Sequence, residues 1–373
     1  MKFHEWGLLF ALLSGTIYNV DHTVIRMLLM FSWAFIPILF LFKFNKQNLG
    51  WNGIKELNYA LLIIFMLFIS FFANLDTLSF EFSGPNVEKL TPFLYIFHVS
   101  ILFYFIQLDS KKISGKFITY FMLSMVMVLF LDMIVRYLEA PQYFLNYNTR
   151  HQAKTIGFFS TTNVNGQIIA FFIVMSWNIK FQFKKLIQFL MIGILITTMA
   201  RSAMVSIIVI YGFQYLLYTK GIISRTISIL LIIGILILFI LDPMNFQNDG
   251  SLLSKLQFFT ATYNLILTGS IGDIIFGYGA SYEAITTALD VNGWSPHVSI
   301  LKAFLYYGLL GVSIFIFILV HFVKQNKKMF LPVMTFLLFS LAGAPIFWPT
   351  LSVGLILLMI YDNIQRNKLN VSK

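Results

Sequence analysis

Apolar residues fill this chain in stretches too long for the alternation of a half-buried strand or the single stripe of a surface helix. Polar clusters interrupt them at roughly the 20-residue interval that a helix needs to cross a bilayer. The runs predict about twelve spanning helices, near 5–20, 24–43, 57–75, 91–108, 117–138, 160–178, 186–200, 202–219, 224–241, 298–322, 329–344 and 348–363. The first lies behind Lys2 and is followed by no small-residue cleavage site, so it reads as a retained span and not a signal peptide. Two segments, 139–159 and 242–297, are too long to be simple turns. No internal repeat relates the two halves.

Charge orients this map. With the N-terminus in the cytoplasm, the outer side holds Arg26, Lys89, Arg136, Arg150, Lys154, Arg201, Lys255 and Lys302, leaving 18 of the 26 basic residues inside. Acidic residues run the other way: Glu5, Glu56, Asp109 and Asp362 lie inside, and the other 11 of 15 lie outside. An excess of Lys and Arg marks cytoplasmic loops. Both termini are therefore expected inside, with an even number of crossings.

Composition removes the soluble alternatives. Of 373 residues, 58% are apolar or aromatic and only 11% charged, whereas a soluble domain carries about 25% charged residues. The mean hydropathy is +0.82. A soluble enzyme, a disordered tail and a nucleic-acid-binding module are excluded, and the net charge of +11 belongs to inner loops rather than to a nucleic-acid partner. There is no cysteine, hence no disulfide, thiolate metal site or thiol nucleophile. The expected fold is an all-α polytopic integral membrane protein. Residues 1–241 form helices one to nine, 242–297 a large extracytoplasmic loop, and 298–373 helices ten to twelve with a cytoplasmic tail.

Three segments carry candidate chemistry, each where a helix starts at the outer face and runs inward. The first runs from Arg150 through Lys154 and Gly157 to Thr161, Thr162, Asn163, Asn165 and Gly166. Its Thr and Asn residues suit an N-cap, and its glycines allow close backbone approach. A capped helix with interfacial cations accounts for the same residues. The second is the turn Met199-Ala200-Arg201-Ser202-Ala203, whose Arg201 either snorkels to headgroups or faces an anionic ligand. The third comprises Gly277-Tyr278-Gly279 and Trp294-Ser295-Pro296-His297-Val298, with Gly308 and Gly311 deeper as a helix-packing face. Pro296 suits a helix start, which puts His297 in the first turn; a purely structural interfacial histidine is the alternative.

Convergence of these helix starts would make a phosphate site, because a helix N-terminus carries unpaired N–H groups and about half a positive charge. Arg150, Lys154 and Arg201 add to it. The same dipole disfavours imidazolium, so His297 is expected neutral near pH 7 and able to accept a proton. In the outer loop Asp242, Asp249, Asp273, Glu283 and Asp290 lie among Tyr263, Tyr278, Tyr282 and Trp294. Carboxylates and aromatic faces suit sugars; a solvated loop with interfacial aromatics is the plainer account. No cluster has metal-ligand spacing, and neither metal nor cofactor is expected. Elsewhere, Asp132 and Arg136 stand four apart and should pair. His98 reads as packed, and His321 lies near the cytoplasmic end.

At these three segments the chain resembles the O-antigen polymerase and O-antigen ligase superfamily (Wzy-type polysaccharide repeat-unit polymerases). Arg150 and Gly166, with 15 residues between them, are similar to an Arg–Gly motif of such polymerases. Lys154-Thr155-Ile156-Gly157, Asn163 and Asn165 resemble the family's Arg-x-x-Gly…Asn pattern, with Lys for Arg. Ala200-Arg201-Ser202 resembles its Ser-Arg turn, with Ala for the Ser. Gly277-Tyr278-Gly279 and Pro296-His297 resemble its Gly-x-Gly and Pro-His-Asn elements, with Val298 for the Asn.

The resemblance implies metal-independent glycosyl transfer at the outer face of the bacterial inner membrane. The donor would be a glycan on undecaprenyl diphosphate and the acceptor another lipid-linked repeat unit; a chain-length regulator is an accessory partner, and no nucleic acid is involved. His297 would activate the acceptor hydroxyl, and Arg201, with Arg150 or Lys154, would hold the departing diphosphate. Asn163, Gly166, Gly277, Tyr278, Gly279 and Trp294 would bind glycan or shape the loops. A ligase that passes the glycan to lipid A-core is the alternative within the enzyme class. A lipid-linked glycan flippase is the alternative outside it, although transporters usually show repeated halves and midplane charges.

Overall fold

A computed structural model describes residues 3–16, 113–143, 162–218, 221, 226, 250–278, 298–340 and 349–371. The described residues are helical and contain no strand. In chain order the helices are α1 (Phe3–Thr16), α2 (Phe117–Glu139), α3 (Thr162–Trp177), α4 (Lys184–Thr198), α5 (Arg201–Tyr218), α6 (Gly250–Thr268), α7 (Ile271–Phe276), α8 (Ser299–Gln325), α9 (Phe330–Ser340) and α10 (Pro349–Val371). Short 3₁₀ turns follow α2 and precede α9. The runs expected at 24–43, 57–75, 91–108 and 224–241 lie outside the described residues.

These segments are helices because their apolar residues form one or more faces at helical spacing, and such faces must be covered. In α2, Phe117, Phe121, Met125, Leu129, Met133 and Arg136 point inward, while Leu123, Met127, Phe130, Ile134 and Leu138 remain exposed. In α4, Ile187, Met191, Ile194 and Leu195 point inward and Leu186, Phe189, Ile192 and Ile196 outward. Large apolar side chains on both faces fit a helix with protein on one side and hydrocarbon on the other. Among the described residues, Phe117–Glu139 and Ile300–Gln325 are long and apolar enough to cross a membrane.

Helix α3 is the centre of the bundle. Residues Asn165 to Ser176 are buried in an unbroken run, and the helix packs against α4, α5, α9 and α10. Phe172 tilts against Phe121 of α2 at 5.6 Å between ring centroids and meets Phe171 edge-on at 5.4 Å. Gly354 of α10 lets that helix approach: a Cβ there would lie 2.7 Å from the Phe171 ring.

Polar contacts gather at the two ends of the bundle. At one end the Glu5 carboxylate accepts from the Ser114 amide, and the Gln182 amide donates to Thr119 Oγ1 at 3.2 Å. There too Lys328 pairs with Asp362 and lies 4.8 Å from the centre of the Tyr361 ring, while Asn326 Nδ2 donates to Asp362 Oδ2 at 2.9 Å. At the far ends of α2 and α4, Tyr137 donates from its hydroxyl to the Thr197 carbonyl at 2.6 Å. Glu5, Lys328 and Asp362 are residues that the charge pattern assigns to a common side.

Within 242–297 the chain is more than a loop. Helix α6 turns Phe258 and Thr262 inward and packs on α8. Helix α7 starts with a reciprocal cap: Ser270 Oγ accepts from the Asp273 amide at 3.1 Å, and Asp273 Oδ2 accepts from the Ser270 amide at 3.3 Å. Asp273, expected among sugar-facing carboxylates, is engaged in that cap.

Candidate functional site

The first two candidate segments meet. Gly166, in the second turn of α3, lies against the turn between α4 and α5. A Cβ on Gly166 would fall 2.4 Å from Ala200 Cβ and 2.9 Å from Thr198 Oγ1, so only glycine lets the backbones come this close. Helix α4 ends at Met199, which takes a left-handed conformation (φ 48°, ψ 28°). The Ala200 carbonyl then accepts from the Ala203 and Met204 amides, both at 3.1 Å, and opens α5. Arg201 is therefore the first helical residue of α5 and is half-buried. Asn163, also half-buried, lies in the first turn of α3. The starts of α3 and α5 stand side by side with Arg201 between solvent and core.

A buried ionic cluster backs this corner. Arg136 Nη2 donates to Asp132 Oδ2 at 3.2 Å, with both side chains fully buried. Asn165 Nδ2 donates to the same oxygen at 2.9 Å. The i,i+4 spacing made the Asp132–Arg136 pair legible. Asn165 as its third member was not, because 33 residues and a change of helix separate it from Asp132.

The described part of the third segment packs against α8. Gly277 has φ 82° and ψ −178°, a region that only glycine enters at little cost. Its missing Cβ would lie 2.5 Å from the Tyr307 amide nitrogen and 2.6 Å from that of Gly308. Gly308 is itself non-helical (φ 64°, ψ −159°) and breaks α8. Gly308 is thus a close-packing position against the Ile275–Gly277 backbone, but through a break in the helix that the sequence does not show. The Tyr278 amide fills the break, donating to the Leu305 carbonyl at 2.7 Å. The Tyr278 hydroxyl reaches the Leu265 carbonyl at 3.4 Å. Burial, and secondarily the carboxylate of Asp273, push the Tyr278 phenol above its ordinary pKa, so it stays a donor near neutral pH. Gly277 and Tyr278 thus shape the junction of α6, α7 and α8.

Of the remaining candidates, Arg150, Lys154, Gly279, Trp294 and His297 lie outside the described residues. Helix α8 begins at Ser299, with the buried Val298 as its N-cap, and not at Pro296 as expected; His297 precedes the cap in the chain and is not a residue of the helix's first turn. Compared with models of protein families and with characterised protein sequences, the chain matches none.

Proposed function

We propose that this chain is a polytopic membrane glycosyltransferase of about twelve spans with both termini cytoplasmic. It polymerises undecaprenyl-diphosphate-linked oligosaccharide repeat units into O-antigen or a related surface polysaccharide, at the outer face of the bacterial inner membrane. The observation that carries this reading is the seating of Gly166 against Thr198 and Ala200. It brings two helix starts and Arg201 to one corner, an arrangement suited to a phosphate-bearing ligand.

In the proposed reaction the acceptor sugar hydroxyl gives its proton to the His297 imidazole as its oxygen bonds to the donor's anomeric carbon. The bond from that carbon to the diphosphate oxygen breaks, and undecaprenyl diphosphate leaves with the electron pair. Arg201, with Arg150 or Lys154, stabilises the charge that grows on the leaving group. Proton removal by a positioned base contributes about 10²–10⁴-fold. Attack opposite the leaving group inverts the anomeric centre.

A deletion strain tests the reading. Loss of a polymerase leaves a single repeat unit on the lipid core; loss of a ligase leaves core without any repeat; loss of a flippase leaves lipid-linked units on the cytoplasmic face. Purified protein given lipid-diphosphate repeat units in detergent should lengthen them, and a preparation that forms no longer product sinks the enzyme reading. His297→Ala and Arg201→Ala should each abolish chain growth while the protein still reaches the membrane. Full activity in either variant removes that residue from the mechanism.

A further inference from the structure

The reaction proposed above gives no role to the Asp132–Arg136–Asn165 cluster, and a buried ion pair is weak evidence of a stabilising one. Burying an ion pair costs desolvation, and an apolar pair of similar volume commonly supports a fold as well or better. Ionisable residues inside an apolar span are costly and usually functional. The cluster's connections point to what it does. Asp132 Oδ2 accepts from Arg136 on its own helix and from Asn165 at the start of α3. Asn165 adjoins Gly166, the residue in contact with Thr198 and Ala200. Tyr137, next to Arg136, is bonded to Thr197 just before that turn. Helices α2, α3 and α4 are thereby tied at one level, directly behind the start of α5 and Arg201.

We infer that Asp132, with Arg136, is a positioning element that acts through Asn165: it fixes the start of α3 against the α4–α5 turn and so holds Arg201 where a diphosphate binds. The inference rests on the diphosphate reading of that corner. Arg136 is fully buried and anchors the carboxylate. Misplacement by ~1 Å is enough to cost ~10²-fold in rate, which gives a rigid tie at this point its value.

Two variants test it. Asn165→Leu cuts the tie to α3 and keeps the ion pair; Asp132→Leu with Arg136→Met replaces the pair by an apolar one of similar size. Each full-length protein is purified in detergent, and three quantities are measured: melting temperature, Kd for geranyl diphosphate as a short prenyl diphosphate probe, and kcat and KM on lipid-linked repeat units. The expected result is a melting temperature near wild type, a Kd raised about tenfold or more, and a fall in kcat. Wild-type Kd in both variants overturns the inference. So does failure of both to fold, which would assign the cluster to stability alone. Wild-type protein that lengthens glycans yet binds no geranyl diphosphate overturns the inference and leaves the polymerase reading standing. Protein that binds the probe in the expected order of variants but makes no polymer supports the inference and ends the polymerase reading.

Discussion

At Gly166 a single hydrogen atom in place of a methyl group decides how close two backbones come. With Ala200 Cβ 2.4 Å from the position a Cβ would take, Gly166→Ala must push α3 away from the α4–α5 turn. Overpacking of this kind costs about 1–3 kcal/mol, so the melting temperature in detergent should fall. Ala200→Gly in the Gly166→Ala background should recover part of the loss, because the two sites are in contact and couple. Additive losses would mean that the contact is not the cause. Gly166 was visible in the sequence as a glycine at a helix start, and close approach was the natural reading. Its partners were not, because Thr198 and Ala200 reach it only after the chain has crossed the bundle twice.

At the scale of elements, long apolar runs translate directly into helices. The run predicted at 117–138 is α2, Phe117–Glu139, and that at 202–219 is α5, Arg201–Tyr218. Helix α6 escaped because Ser251, Ser254, Lys255, Gln257 and Thr260 interrupt its apolar residues, so no run of spanning length marks it. The break in α8 escaped for a different reason. Glycine permits φ 64° but does not demand it; the 277–278 segment lodged in the break is what fixes it. Gly308→Ala should unseat that segment, since the new Cβ would lie 2.3 Å from the Ile275 carbonyl and a non-glycine residue in this backbone region costs about 1–3 kcal/mol. Hydrogen exchange of the peptide containing Tyr278 should accelerate. Unchanged protection there would show that the Tyr278–Leu305 bond does not depend on the kink.

For the whole molecule, the testable quantity is sidedness. The absence of cysteine makes any introduced cysteine the sole thiol. In intact cells, made permeable only at the outer envelope, a membrane-impermeant maleimide should label Gln142→Cys and spare Lys180→Cys and Lys327→Cys, all three at exposed positions. The reverse pattern would invert the orientation and move Arg201 to the cytosol. What the sequence determined by itself was helix and apolar surface, because both follow from the composition of a local stretch and from what lipid and water tolerate. Tertiary structure alone decided that Asn165 completes the Asp132–Arg136 pair, that Gly166 seats on Ala200, and that Gly277 lodges in the break at Gly308. Those contacts join residues tens of positions apart, and their geometry is set by how whole helices pack, which no local pattern encodes.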